Sequence, residues 1–106
     1  MASYISTTVD LTTDDTVIIP VNGRWSEGNY SAIVTFAGTG TVKYEGTVSK
    51  INQGETAVWF DITNLTAVVA DAAENIVNTP FEAFRISGTT MAGGGATAQL
   101  MGAGAA

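Results

Sequence analysis

Short runs of β-branched and aromatic residues, none longer than a strand and each closed by turn residues, constrain this chain more than any other feature. They fall at Tyr4 to Leu11, Thr16 to Val21, Tyr30 to Ala37, Val42 to Val48, Thr56 to Ile62, Phe81 to Ser87 and Ala96 to Met101. Apolar positions follow a period of two nearly throughout, the signature of strands rather than helices. Val42, Tyr44 and Val48 alternate with Lys43, Glu45 and Thr47, as in a strand with one face buried and one wet. Between the runs, Asp14-Asp15, Asn22-Gly23, Gly38-Thr39-Gly40 and Asn52-Gln53-Gly54 read as hairpin reversals. About seven to eight short strands at this spacing predict an all-β fold, an antiparallel β-sandwich of jelly-roll or Ig-like type over residues 1–101.

Three segments need separate treatment. In Thr66 to Asn78, Val69, Ala73 and Ile76 share helical spacing. A helical turn beginning near Asp71, with Asp71 and Glu74 at its start, competes there with a long loop crossing between sheets. The tail 102–106, all Gly and Ala, has no side chain to anchor it and is expected to be flexible. The N-terminal stretch 2–11 is long enough to form an edge strand, or to act as an arm that pairs with a neighbouring sheet.

Composition narrows the function. The net charge is −6, and the basic residues are only Arg24, Lys43, Lys50 and Arg85. No basic stripe for a phosphate backbone can be built from these, so no nucleic-acid partner is expected. No apolar run approaches the roughly 20 residues of a membrane-spanning helix, and no membrane partner is expected. The first residues lack the basic start and apolar centre of a secretory signal, so synthesis in the cytoplasm is expected. Without Cys or His, the chain has no thiol nucleophile, no disulfide, and neither the commonest general base nor the commonest transition-metal ligand. Asp10, Asp14 and Asp15 lie close together but lack the ordered spacing of a calcium loop, so no metal is expected. Gly38-Thr39-Gly40 and Gly93-Gly94-Gly95 read as turns rather than phosphate cradles, because no helix start follows either of them. Nothing singles out a carboxylate pair for hydrolysis. The expectation is therefore a protein that is not an enzyme and carries no cofactor.

The remaining candidates form a partner interface: Ser3, Tyr4, Ile5, Arg24, Trp25 and Trp59. Trp25, beside Arg24 after the Asn22-Gly23 turn, suits either an exposed anchor for a partner or sugar, or a cap on the end of the sandwich. Trp59 sits among Val58, Phe60 and Ile62. If those three face the core, Trp59 points outward with Asp61; in the opposite register Trp59 is core. Arg85 is expected to form an ion pair with a neighbouring acid.

Four segments, taken in order, carry a resemblance: Gly40-Thr41-Val42-Lys43-Tyr44-Glu45-Gly46-Thr47, Trp59-Phe60-Asp61-Ile62-Thr63, Pro80-Phe81-Glu82-Ala83-Phe84-Arg85-Ile86 and Gly94-Gly95-Ala96-Thr97-Ala98-Gln99-Leu100. This order resembles small β-sandwich virion structural proteins of tailed bacteriophages, including capsid decoration (cement) proteins and domains of fibres and spikes. The resemblance implies a structural role in the virion, on the capsid exterior or in a fibre. Its implied partners are the major capsid protein or other virion proteins, and it implies a homo-oligomer with a trimer favoured. The alternative is a carbohydrate-binding module that stacks a glycan on Trp25, Tyr30 or Trp59.

Overall fold

In the computed structural model, residues 4–21, 25–76 and 81–104 are described, with residues 4–5, 25–29 and 103–104 described through their backbone. Eight strands are present: β1 (Tyr4–Leu11), β2 (Asp15–Pro20), β3 (Trp25–Phe36), β4 (Thr39–Thr47), β5 (Phe60–Asp61), β6 (Ala72–Ile76), β7 (Ala83–Ala92) and β8 (Ala96–Gly104). A 3-10 turn, Ile51–Gln53, lies between β4 and β5. The strands form two four-stranded antiparallel sheets, β1-β8-β3-β6 and β2-β7-β4-β5. This order is that of a jelly roll, and the all-β sandwich read from strand periodicity is what the chain forms.

The topology has a simple origin. Tyr4 pairs with Ala103, Asp15 with Gly88, Tyr30 with Ile76 and Glu45 with Asp61, so the chain folds back on itself about a pivot near Ile51–Gln53. Each strand of the first half finds its partner, in reverse order, in the second. The pivot is fixed from both sides: Lys50 N–H donates to Glu55 Oε1 at 2.6 Å, and its ammonium donates to Glu82 Oε1 at 2.5 Å. Gly54 closes the turn with φ +86°, a conformation that favours glycine.

Consequently two of the expected hairpins, at Asp14-Asp15 and Gly38-Thr39-Gly40, are corners between sheets, whereas Asn52-Gln53-Gly54 lies in the connection between β4 and β5, antiparallel neighbours in one sheet. The turns after β1, β3 and β7 carry the chain from one sheet to the other, although they use the residue types of tight reversals. At the β7–β8 corner, Gly95 has φ +63° and a Cβ there would lie 1.9 Å from Leu11 O. That corner admits no other residue without moving β1.

Of the segment 66–78, the described part, 66–76, is neither a helical turn nor a loop throughout. Val68 bridges to Val42 on one sheet, and Ala72–Ile76 then joins the other as edge strand β6 beside β3. Pairing with β3 overrides the weak helical spacing of a segment that has no neighbouring turn to complete a helix. Asp71 caps no helix; its Oδ1 accepts the Phe36 N–H at 2.8 Å, closing the end of β3. The predicted strand over Thr56 to Ile62 contracts to Phe60–Asp61. The N-terminal stretch forms an edge strand, and β8 continues to Gly104, with Gly102 opposite both Ile5 and Tyr30. The alternation in β4 also breaks at its end, where Thr47 is buried and Val48 exposed.

One hydrophobic core joins the sheets, built from residues such as Leu11, Val34, Val42, Phe84, Ile86 and Leu100. Tyr30 and Phe81 both meet Phe84 edge to face, at ring-centroid distances of 4.8 and 5.0 Å. Tyr44 spans the sandwich: its ring is fully buried on β4, and its hydroxyl donates to Gln99 O of the opposite sheet at 2.8 Å.

Burial raises the Tyr44 phenol well above its ordinary 10.0, and burial followed by the nearby Glu82 charge raises that of Tyr30. Above about pH 10 the unfolded chain releases these protons and the folded chain keeps them, so stability is undiminished below pH 10 and falls as pH rises further. Each such phenol costs about 1.4 kcal/mol per pH unit in that range. Replacing Tyr44→Phe should lower stability by about 1 kcal/mol at neutral pH and make the alkaline decline shallower, read from denaturant midpoints at pH 8 and pH 11. An unchanged slope would show that Tyr44 is not held neutral by the fold.

Candidate interaction surface

The outer face of the β2-β7-β4-β5 sheet carries a row of side chains fixed by strand register. Ile18 lies opposite Arg85, Arg85 opposite Glu45, and Glu45 opposite Asp61, one residue from each strand. Cross-strand neighbours on one face are the pairs that interact most strongly in a sheet. Arg85 donates from Nε to Glu45 Oε1 and from Nη2 to Glu45 Oε2, both at 2.9 Å, a bidentate fork. Lys43 adds 3.0 Å and 3.7 Å contacts to Asp61 and Glu45. These two acids, Asp61 foremost, raise the Lys43 ammonium above its ordinary value.

Glu45 is only 7% exposed although it faces outward. Its partner Arg85 is itself stacked on Trp59, whose ring centroid lies 4.6 Å from the guanidinium carbon, so that the indole of the β5 side reaches across β4 to β7. Trp59 therefore lies on the outward side with Asp61, although of Val58, Phe60 and Ile62 only Ile62 is buried. It is half-buried over the outer face, with Phe60 and Val58 exposed on either side and Ile62 buried. Alternation does not decide the matter because β5 is two residues long and the flanking chain leaves the sheet.

Beside this row lies a groove between the two sheets, along the side where edge strands β5 and β6 face each other. It encloses about 310 Å³ and is lined by Asp61, Ile62 and Thr63 from the β5 side, Glu74, Asn75 and Ile76 from β6, and Phe81. Phe81 reaches it because its ring packs on the bare backbone of Gly46, where a Cβ would stand 2.5 Å from the ring. Asn64 donates to Glu74 Oε2 at 3.3 Å across the rim.

Of the other sequence candidates, Ser3 and Arg24 lie outside the described residues, as does the Asn22-Gly23 turn. Tyr4 and Ile5 are in β1, opposite Ala103 and Gly102, and Trp25 begins β3 opposite Gly104, ahead of a bulge before Tyr30. The structure thus leaves Trp59 on one edge of the sandwich and β1 on the other. Arg85 has the acidic partner expected of it. Asp10, Asp14 and Asp15 serve the fold separately: Asp14 accepts the Met91 N–H, Asp15 that of Thr16, and Asp10 the Thr97 hydroxyl. Among the described residues no three metal-ligating side chains converge. The groove and the Lys43–Asp61 contact had no sequence signal, since both depend on register between distant strands.

No protein-family model and no curated protein matches this chain. Among solved structures, the SPBc2 prophage-derived protein YomS shares the fold with a TM-score of 0.69 at 8% identity, over 97% of this chain and 95% of its own. IMPa from Pseudomonas aeruginosa, solved in complex with an O-glycopeptide, matches with a TM-score of 0.51 at 12% identity, over 98% of this chain and 13% of that one. Both are likenesses of fold.

Arg85→Ala removes the bidentate partner of the nearly buried Glu45 carboxylate and leaves it only the longer 3.7 Å contact with Lys43. The expected loss is about 2–4 kcal/mol, discounted for the partial exposure of Arg85, with Glu45→Gln milder. Equilibrium denaturation of the two variants checks the order; equal losses would show that the carboxylate is adequately solvated without Arg85.

Proposed function

We propose that this protein is a structural component of a tailed-phage virion, a capsid decoration or cement protein that binds the shell exterior and acts by association rather than catalysis. The observation that carries the reading is the fold likeness, along almost the whole of both chains, to a prophage-derived protein. The segments that resemble phage virion proteins support it: three of them form the adjacent strands β5, β4 and β7, which build the outer face described above. The exposed Val48, Val58 and Phe60, at the end of β4 and around β5, suit contact with a partner. Its partners are the major capsid protein and further copies of itself, with a trimer as the assembled form, and its location is the virion, after synthesis in the host cytoplasm. Co-sedimentation with purified phage heads, together with mass measurement in solution, tests this. Saturable binding to heads by an oligomer is expected; a monomer that leaves heads untouched overturns the reading.

One observation favours a second reading, binding of a glycan by the outer face. Trp59 offers part of an indole beside Arg85, Lys43 and Asp61, the aromatic-plus-polar combination that stacks and hydrogen-bonds a sugar ring. Tyr30 takes no part in it, being 3% exposed, and the Trp25 side chain lies outside the described residues. Titration with host-surface oligosaccharides followed by Trp fluorescence should then show saturable quenching that Trp59→Ala abolishes. Quenching that survives Trp59→Ala removes this site.

A further inference from the structure

We infer that β6 is an acceptor edge for an extended strand from a different protein, whose inward side chains fill the groove between β6 and β5. The partner strand is apolar at alternate positions and carries Lys or Arg.

The argument starts from the edge. β6 is the last strand of its sheet, and among the described residues it pairs only with β3. An edge strand offers a row of backbone donors and acceptors, which proteins usually guard with Lys, Pro or a bulge. Ala72-Ala73-Glu74-Asn75-Ile76 has no Lys, Pro or bulge, and its one charged residue is Glu74, on the groove. Beneath that edge the sandwich is not closed, because β5 has only two residues and leaves buried Ile62, Ile76 and Phe81 lining the groove. A strand added beside β6 would direct alternate side chains onto these three, and the others outward beside Ala73 and Asn75. A second hollow, of about 370 Å³, lies on that outward side between Ile33, Asn75 and Met101. At about 310 Å³ the groove itself is at the small end of ligand-sized pockets, the scale of a few side chains rather than a whole domain.

Charge selects the occupant. The rim carries Asp61, which Lys43 meets at 3.0 Å, and Glu74, which meets no Lys or Arg among the described residues, and no Lys or Arg lines the groove. The chain has a net charge of −6, and Lys43, Lys50 and Arg85 are each already paired with an acid. A second copy would therefore bring more negative charge to an acidic rim, whereas a strand bearing Lys or Arg meets a complementary one. The proposal rests on the assembly reading only for the source of that strand; the recognition itself does not need a virion.

The test uses the full chain and two synthetic peptides, one alternating Val with Lys and Thr, the other with Glu in place of each Lys. Amide chemical shifts report the binding. The Lys peptide should shift residues 61–63 and 72–76 saturably. The Glu peptide should bind at least tenfold more weakly, and the double variant Asp61→Asn/Glu74→Gln should remove most of that difference. No saturable shift at 72–76, or shifts that map to β1 instead, overturns the proposal. Concentration-dependent shifts at 72–76 in the protein alone would give the edge to a second copy and overturn it equally. Because no phage component is present, failure to bind heads and failure to accept a strand are separate results.

Discussion

Everything in this molecule depends on the pairing of each strand with one from the other half of the chain. Only β4 and β5 are successive strands within one sheet, and they too are separated by the pivot. Apart from the two-residue β4–β5 ladder, every pairing joins strands that have at least two others between them in the chain. Folding must bring distant segments together early, which makes it slow compared with that of a helical protein of the same length. Tyr44 shows what holds the result: a residue on β4 whose ring fills the core and whose hydroxyl ends on β8 of the facing sheet. With that phenol in place the two layers are related by a directional bond as well as by packing.

Charged groups follow the same logic. In the sequence the acids outnumber the bases and invite a ligand. In the structure many of them terminate strands, accepting backbone N–H groups at Phe36, Met91 and Thr16 that would otherwise lack partners at the corners. Glu82 and Glu45 differ from these in being nearly out of water; Glu82 meets Lys50, while Glu45 stands in the middle of an outer face. Glu45 is tolerated because Arg85, stacked on Trp59, supplies it with two charge-assisted hydrogen bonds. The surface feature nearest to a site is thus also a structural element of its sheet.

The strands were legible wherever Val, Ile, Thr and aromatic residues alternate, as in β4 and β7, because burial of one face writes itself into the sequence. β6 was not legible: Ala, Glu and Asn have little strand preference, and what makes it a strand is the register Ile33 to Ala73 supplied by β3. Trp59 was ambiguous for a related reason, since alternation carries no information where the strand is two residues long. That Arg85 would meet an acid was readable from composition, but its partner was not, because Glu45 is forty residues away and reaches it only through the β4–β7 ladder. Turn residues told where the chain reverses but not whether it returns to the same sheet, since the same glycine conformations serve a hairpin and a corner.

The pairing of Tyr4 with Ala103 has a consequence for how the molecule is carried. Both ends of the described chain leave from the β1–β8 side of one sheet, while β5 and β6 occupy the far side. A tether at either end, natural or engineered, would hold the sandwich by the same flank and present the opposite flank outward. A short linker between Tyr4 and Gly104 would convert the jelly roll into a closed ring of chain without disturbing the β5–β6 flank.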